Sequence, residues 1–112
     1  MSVVLIRSGL VALLLSASAG YALAGETTKV QISKLTFLPP EITVHVGDTV
    51  EWANADFIPH TATVKPTAAS AGWDVPIPAG KTGQLVVSEI GTVDYICRLH
   101  PNMKAKIIVL AK

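Results

Sequence analysis

The sequence predicts an all-β fold, a Greek-key sandwich or barrel of roughly six to eight short strands. Three observations predict it. Apolar and polar residues alternate at period two in several separate segments. No segment carries a convincing apolar stripe at helical spacing. Eight Gly and seven Pro punctuate a chain of 112 residues, many of them between the alternating runs.

Val30 and Ile32 alternate with polar neighbours and mark the first strand. Ile42, Val44 and Val46 repeat the pattern. Gly47-Asp48 reads as a turn, after which Val50 and Trp52 resume the alternation with Asn54 on their face. Pro66, Gly72, Pro76, Pro78, Gly80 and Gly83 argue for an irregular crossover, interrupted by one short strand around Trp73 and Val75. Leu85-Val86-Val87 is a further strand. Val93, Tyr95 and Cys97 share a face of the next, since side chains two apart in a strand point the same way. Ala105, Ile107 and Val109 form the last alternation.

The chain divides at residue 24. Arg7 is the only basic side chain before that point. The apolar run Leu10-Val11-Ala12-Leu13-Leu14-Leu15 comes next, and small residues lead to Ala22-Leu23-Ala24. Residues 1–24 therefore read as a secretory signal peptide with an Ala-x-Ala cleavage site, and 25–112 as one domain. An uncleaved anchor is the competing reading, prompted by the apolar Val3-Val4-Leu5-Ile6 ahead of Arg7. The unbroken apolar run is too short to span a bilayer, and Ser16, Ser18 and Gly20 interrupt the residues after it, which favours cleavage without stable membrane insertion. Removing 24 of the 112 residues leaves 88, and the nine basic side chains less Arg7 equal the eight acidic ones. A neutral domain without a basic stripe does not suggest nucleic acid, and without an acidic tail does not suggest a basic partner.

The stretch Cys97-Arg98-Leu99-His100-Pro101-Asn102-Met103 carries the chemistry, with His60 far upstream. Together they offer one thiolate, two imidazoles and one thioether. A trigonal His2Cys set with a weak axial Met is the ligand set of a blue-copper electron-transfer site. Structural zinc takes four Cys or His ligands and no Met. Iron–sulfur clusters need several thiolates, and covalent haem needs Cys-x-x-Cys-His; this chain has one Cys. An unpaired thiol in an exported domain is a hazard unless something holds it, and a metal would do so. Cys97 is expected at a strand end, His100 in a loop restricted by Pro101, and Met103 just before the last strand, so that one short loop aims three side chains at one point.

Each residue has a plainer reading. His60 or His100 alone would be a surface or loop residue, and Cys97 or Met103 alone core filler. The joint spacing favours copper. His45 lies between Val44 and Val46, so it faces solvent. Trp52 and Tyr95 suit core packing, and the sequence leaves Trp73 undecided. A Cys97–His100 nucleophile pair would leave Met103 idle, lacks an orienting carboxylate, and matches no nucleophile motif, so an enzyme is not expected.

Two stretches resemble the cupredoxins, and most of all the amicyanin group. The first runs Phe37-Leu38-Pro39-Pro40-Glu41-Ile42, then Val44, Gly47-Asp48, Val50, Trp52, Asn54 and Pro59-His60. The second runs from Gly91 to Met103 and on through Lys106-Ile107-Ile108-Val109. The two-residue gaps from Cys97 to His100 and from His100 to Met103 are similar to amicyanin, whereas plastocyanin and pseudoazurin place Met further on. The resemblance implies a cupredoxin-like fold and one type 1 copper ion, with His60, Cys97 and His100 as equatorial ligands and Met103 axial. It implies that Asn54 ties the two ligand loops together. Leu99 stands where amicyanin-like loops often carry Pro, and its N–H, if aimed at the Cys97 sulfur, would raise the reduction potential.

The function expected from these readings is that of an exported, monomeric, one-electron carrier in a bacterial periplasm. His100 would be the exit, inside an apolar collar of Leu99, Pro101, Phe57, Ile58 and Pro59, with Arg98, Lys65 and Lys104 at the rim. The resemblance alone implies an amine dehydrogenase as donor and a c-type cytochrome as acceptor. The alternative is a periplasmic copper-binding or copper-delivery protein with the same fold.

Overall fold

The computed structural model describes residues 25–112, so the segment read as a signal peptide lies outside the described residues. Nine strands form: β1 (Thr27–Ser33), β2 (Thr36–Leu38), β3 (Glu41–His45), β4 (Thr49–Asn54), β5 (His60–Val64), β6 (Trp73–Ile77), β7 (Thr82–Val86), β8 (Gly91–Cys97) and β9 (His100–Leu110). They make a two-sheet sandwich. One sheet is ordered β2-β1-β4-β7 and the other β3-β9-β8-β5-β6. Pairing is parallel between β1 and β4 and between β3 and β9, and antiparallel elsewhere.

The alternation read from the sequence is what the sheets bury. Val30 and Ile32 on β1, Ile42 and Val44 on β3, and Val50 and Trp52 on β4 turn inward. The β1 and β4 side chains meet Ile42 and Val44, with Tyr95, Ile107 and Val109, of the other sheet in one core cluster. At its centre the Trp52 indole N–H donates to the Tyr95 hydroxyl at 3.1 Å, which satisfies the indole polar atom where the side chain is fully buried. Burial pushes the Tyr95 phenol up to about 12. Trp73 packs against both rings, 5.9 Å from Trp52 and 5.8 Å from Tyr95. His45 is solvent-facing as expected, its side chain 55% exposed.

Nine strands are one more than the upper expectation, and two of them, β5 and β2, were not read from the sequence. β5 runs four consecutive buried residues, His60 to Thr63. A strand covered on both faces shows no alternation, so its sequence gives no period-two signal. β2 is only three residues long. It is joined to β1 by Lys34 and Leu35, both at positive φ (52° and 60°). Two left-handed residues in a tight hairpin turn are ordinarily Asn-Gly or similar. Here the Asp56 carboxylate accepts both backbone N–H groups, Lys34 at 2.8 Å and Leu35 at 3.0 Å, and so holds the turn.

Candidate metal centre

The expected ligand residues come from one sheet. His60 opens β5, Cys97 ends β8 and His100 opens β9. The Cys–His connection is thus tighter than the sequence suggested: Arg98 and Leu99 turn the chain, Cys97 pairs with His100, and a register shift falls between Ile96 and Cys97. His100 begins a strand rather than lying in a loop, and Met103 sits within β9 rather than before it. Backbone pairing on either side of a two-residue turn leaves the ligand segment little freedom.

One donor atom each from His60, Cys97 and His100 lies within 4.8 Å of the others. Cys97 Sγ is 3.7 Å from His60 Nδ1 and 3.6 Å from His100 Nδ1. Donors spread trigonally at about 2.0–2.3 Å from an ion stand roughly 3.6 Å apart, so both sulfur–nitrogen spacings fit a bound first-row metal. The imidazole rings meet edge to face, centroids 5.0 Å apart. Met103 is buried in the same core cluster as Cys97.

Surrounding groups fix these donors. His60 Nε2 lies 2.8 Å from Asp56 Oδ2. A carboxylate only accepts, so Nε2 carries the proton and Nδ1 presents its lone pair toward the sulfur. The Leu35 N–H, then the His60 ring and the Lys34 N–H, hold the Asp56 carboxyl below its ordinary range. The Thr61 N–H donates to Cys97 Sγ at 3.3 Å. The Leu99 N–H, whose aim the sequence left open, makes no hydrogen bond to this sulfur among the described residues. The β8–β9 turn brings the thiol against β5 instead.

Asn54 departs in part from its expected role. Its Nδ2 donates to the carbonyls of Ile58, Ile77 and Pro78, and its Oδ1 accepts the Asp56 N–H. It therefore ties the loop before His60 to the β6–β7 turn, not to the Cys97–Met103 segment. That second tie is made by Thr61, whose Oγ1 accepts the Arg98 N–H at 2.9 Å. Asp56, Thr61, Thr63 and Asp74 are the site residues that sequence reasoning missed. Only the position of Asp56, four residues before a candidate ligand, carried any signal.

His60 is 1% exposed, whereas His100 is half-buried. Around His100 the expected collar is exposed: Leu99, Pro101, Phe57, Ile58 and Pro59 all face solvent. Phe57 is fully exposed. Leu35, 47% exposed and tethered to Asp56, belongs to the same end.

A mixed two-sheet sandwich that gathers one thiol and two imidazoles at one end defines the cupredoxin class. The chain belongs to the cupredoxin-like domain family, whose profile matches residues 6–109. Its relatives include amicyanin-alpha of Methylorubrum extorquens, 35% identical over 74% of this chain and 71% of that protein. The amicyanin of Paracoccus denitrificans is 40% identical over 71% of this chain and 63% of that protein. The amicyanin of Paracoccus versutus is matched over 62% of its length, so the chain spans less than two thirds of both Paracoccus relatives. Among solved structures, an oxidised methionine-to-leucine mutant of amicyanin superposes with a TM-score of 0.67 at 31% identity, over 73% of this chain and 80% of that one. A reduced tryptophan-to-tyrosine mutant of amicyanin gives 0.68 at 31%, over 84% and 90%.

Proposed function

We propose that the chain is an exported one-electron carrier that holds a single type 1 copper ion through His60, Cys97 and His100, with Met103 as the weak axial ligand. The observation that carries this reading is the convergence of the thiol with two imidazole Nδ1 atoms at 3.7 and 3.6 Å. Copper, when bound, supplies a Cu(I)/Cu(II) couple. The protein's contribution is a donor set fixed by strand pairing, with the proton of His60 committed to Asp56.

His100 is the exit for the electron, because His60 is buried and His100 reaches the apolar collar. A small, largely apolar contact suits a carrier that must dissociate quickly. No substrate is turned over by such a protein. Its partners are a redox donor and a redox acceptor; the amicyanin resemblance suggests an amine dehydrogenase and a c-type cytochrome. The periplasm is the compartment that the signal-like residues 1–24 suggest.

Purified protein titrated with cupric salt is expected to develop an intense thiolate-to-copper band that bleaches on reduction and returns on oxidation. Cys97→Ser is expected to abolish the band while circular dichroism remains that of the folded protein. A wild-type protein that stays colourless would overturn the proposal. Copper lost at each reduction, without reversible cycling, would favour delivery over electron transfer.

A further inference from the structure

Beside the thiol, two buried hydroxyls form a chain whose direction is fixed at its outer end. Asp74, on β6, is 46% exposed. Its carboxylate accepts Arg98 Nε at 3.0 Å and Nη2 at 3.1 Å. The Arg98 guanidinium, and then the Thr63 hydroxyl, hold its carboxyl below the ordinary range. Ionised at neutral pH, Asp74 can only accept. Thr63 Oγ1, 2.6 Å from Asp74 Oδ1, therefore commits its single proton to Asp74. In the pair Thr61 Oγ1 and Thr63 Oγ1, 2.8 Å apart, Thr61 must then be the donor. Thr61 Oγ1 also accepts the Arg98 N–H. It stands 4.0 Å from Cys97 Sγ but has no proton left to offer the sulfur.

We propose that Thr63 and Asp74 are positioning residues for the metal centre, which draw the Thr61 hydroxyl proton away from the Cys97 sulfur and so keep the reduction potential low. Hydrogen bonds to a ligating sulfur withdraw the electron density that stabilises the oxidised metal, so each one added raises the potential. The Thr61 N–H supplies such a bond; the hydroxyl, 4.0 Å away, is held back from supplying another. The inference rests on the copper centre proposed above. It extends control of that centre to a surface carboxylate on a different strand.

A double-mutant cycle on the copper-loaded full chain tests it. Thr63→Val removes the acceptor of the Thr61 proton at nearly constant volume. The freed hydroxyl then turns to the sulfur, so the potential rises and the thiolate-to-copper band moves to higher energy. Thr61→Val removes the hydroxyl together with the acceptor of the Arg98 N–H, so its own band and potential are the reference for the double variant. Thr61→Val combined with Thr63→Val loses the shift seen in Thr63→Val alone. An unmoved potential in Thr63→Val, or a shift that persists in the double variant, overturns the inference. A second measurement needs no variant. In reduced wild-type protein, NMR cross-relaxation is expected to place the Thr61 hydroxyl proton beside the Thr63 side chain. Finding it beside the Cys97 β-protons overturns the proposal. A wild-type protein without the charge-transfer band overturns the copper centre and this inference together, whereas a wild-type band with an unmoved Thr63→Val overturns this inference alone.

Discussion

The carboxylate of Asp56 accepts three hydrogen bonds, from the backbone N–H groups of Lys34 and Leu35 and from the His60 ring. It fixes the tautomer of a buried imidazole and the left-handed turn that carries Leu35 to the exposed rim. In the proposed copper protein, Asp56→Ala is expected to weaken copper retention about 10–100-fold, the usual effect of losing a group that orients a ligand. Competition with a copper chelator, with folding checked by circular dichroism, measures it; unchanged retention would show that β5 alone orients His60. At this scale the sequence was readable where spacing is local. Cys97, His100 and Met103 declare themselves within one short run. His60, far upstream, was picked out by the chemistry of the donor set and not by local spacing. Thr61, Thr63 and Asp74 gave no sign, because Thr61 and Asp74 reach Cys97 and Arg98 across gaps of 24 to 37 residues, and Thr63 acts only through them. Ordinary polar side chains have no pattern that announces a distant partner.

Strands with one buried face were legible as alternation, and β1, β3, β4, β8 and β9 fall where that alternation lies. β5, the strand that delivers His60, was hidden because both of its faces are covered and two of its residues are Thr. Within the stretch read as an irregular crossover, β6 forms where the short strand around Trp73 and Val75 was expected, and β7 starts at Thr82, ahead of the Leu85–Val87 strand read from the sequence. Gly83, which in the sequence marks irregularity, lies within β7 because of what sits above it. A Cβ there would meet Val75 Cγ1 at 2.7 Å and the Pro76 carbonyl at 2.9 Å, both on β6. Gly83 is thus a point where the edges of the two sheets come very close. Gly83→Ala forces them apart, and overpacking of this kind costs about 1–3 kcal/mol. The urea midpoint of the metal-free protein is expected to fall accordingly; an unchanged midpoint would mean that β6 yields freely.

Across the whole molecule, three carboxylates brace the loops and edges around the sandwich. Asp48 accepts the His45 and Glu26 N–H groups, Asp56 holds the β1–β2 turn, and Asp74 joins β6 to the turn after β8. Each is held below its ordinary value of 3.8: Asp48 first by the His45 N–H, Asp56 by the Leu35 N–H, and Asp74 by Arg98. A carboxyl depressed in the native state contributes stability that is fully present above its unfolded value and is lost as pH falls through its native value. The unfolding temperature of the metal-free protein, followed by circular dichroism, is therefore expected to show no change from these groups between neutrality and about pH 5, and a decline as the pH drops through 3.8 and below. Asp74→Ala should soften that acid decline; an identical acid limb in the variant would remove Asp74 from the account. One further consequence lies in the sheet itself. β8 and β9 are laced by seven register pairs, whereas Thr63 opposite Ile96 is the single pair described between β5 and β8. In the proposed copper protein, an ion gripped by His60 on one side of that gap and by Cys97 and His100 on the other acts as a rivet through a lightly stitched seam. How long the ion stays is then governed by how often the seam breathes.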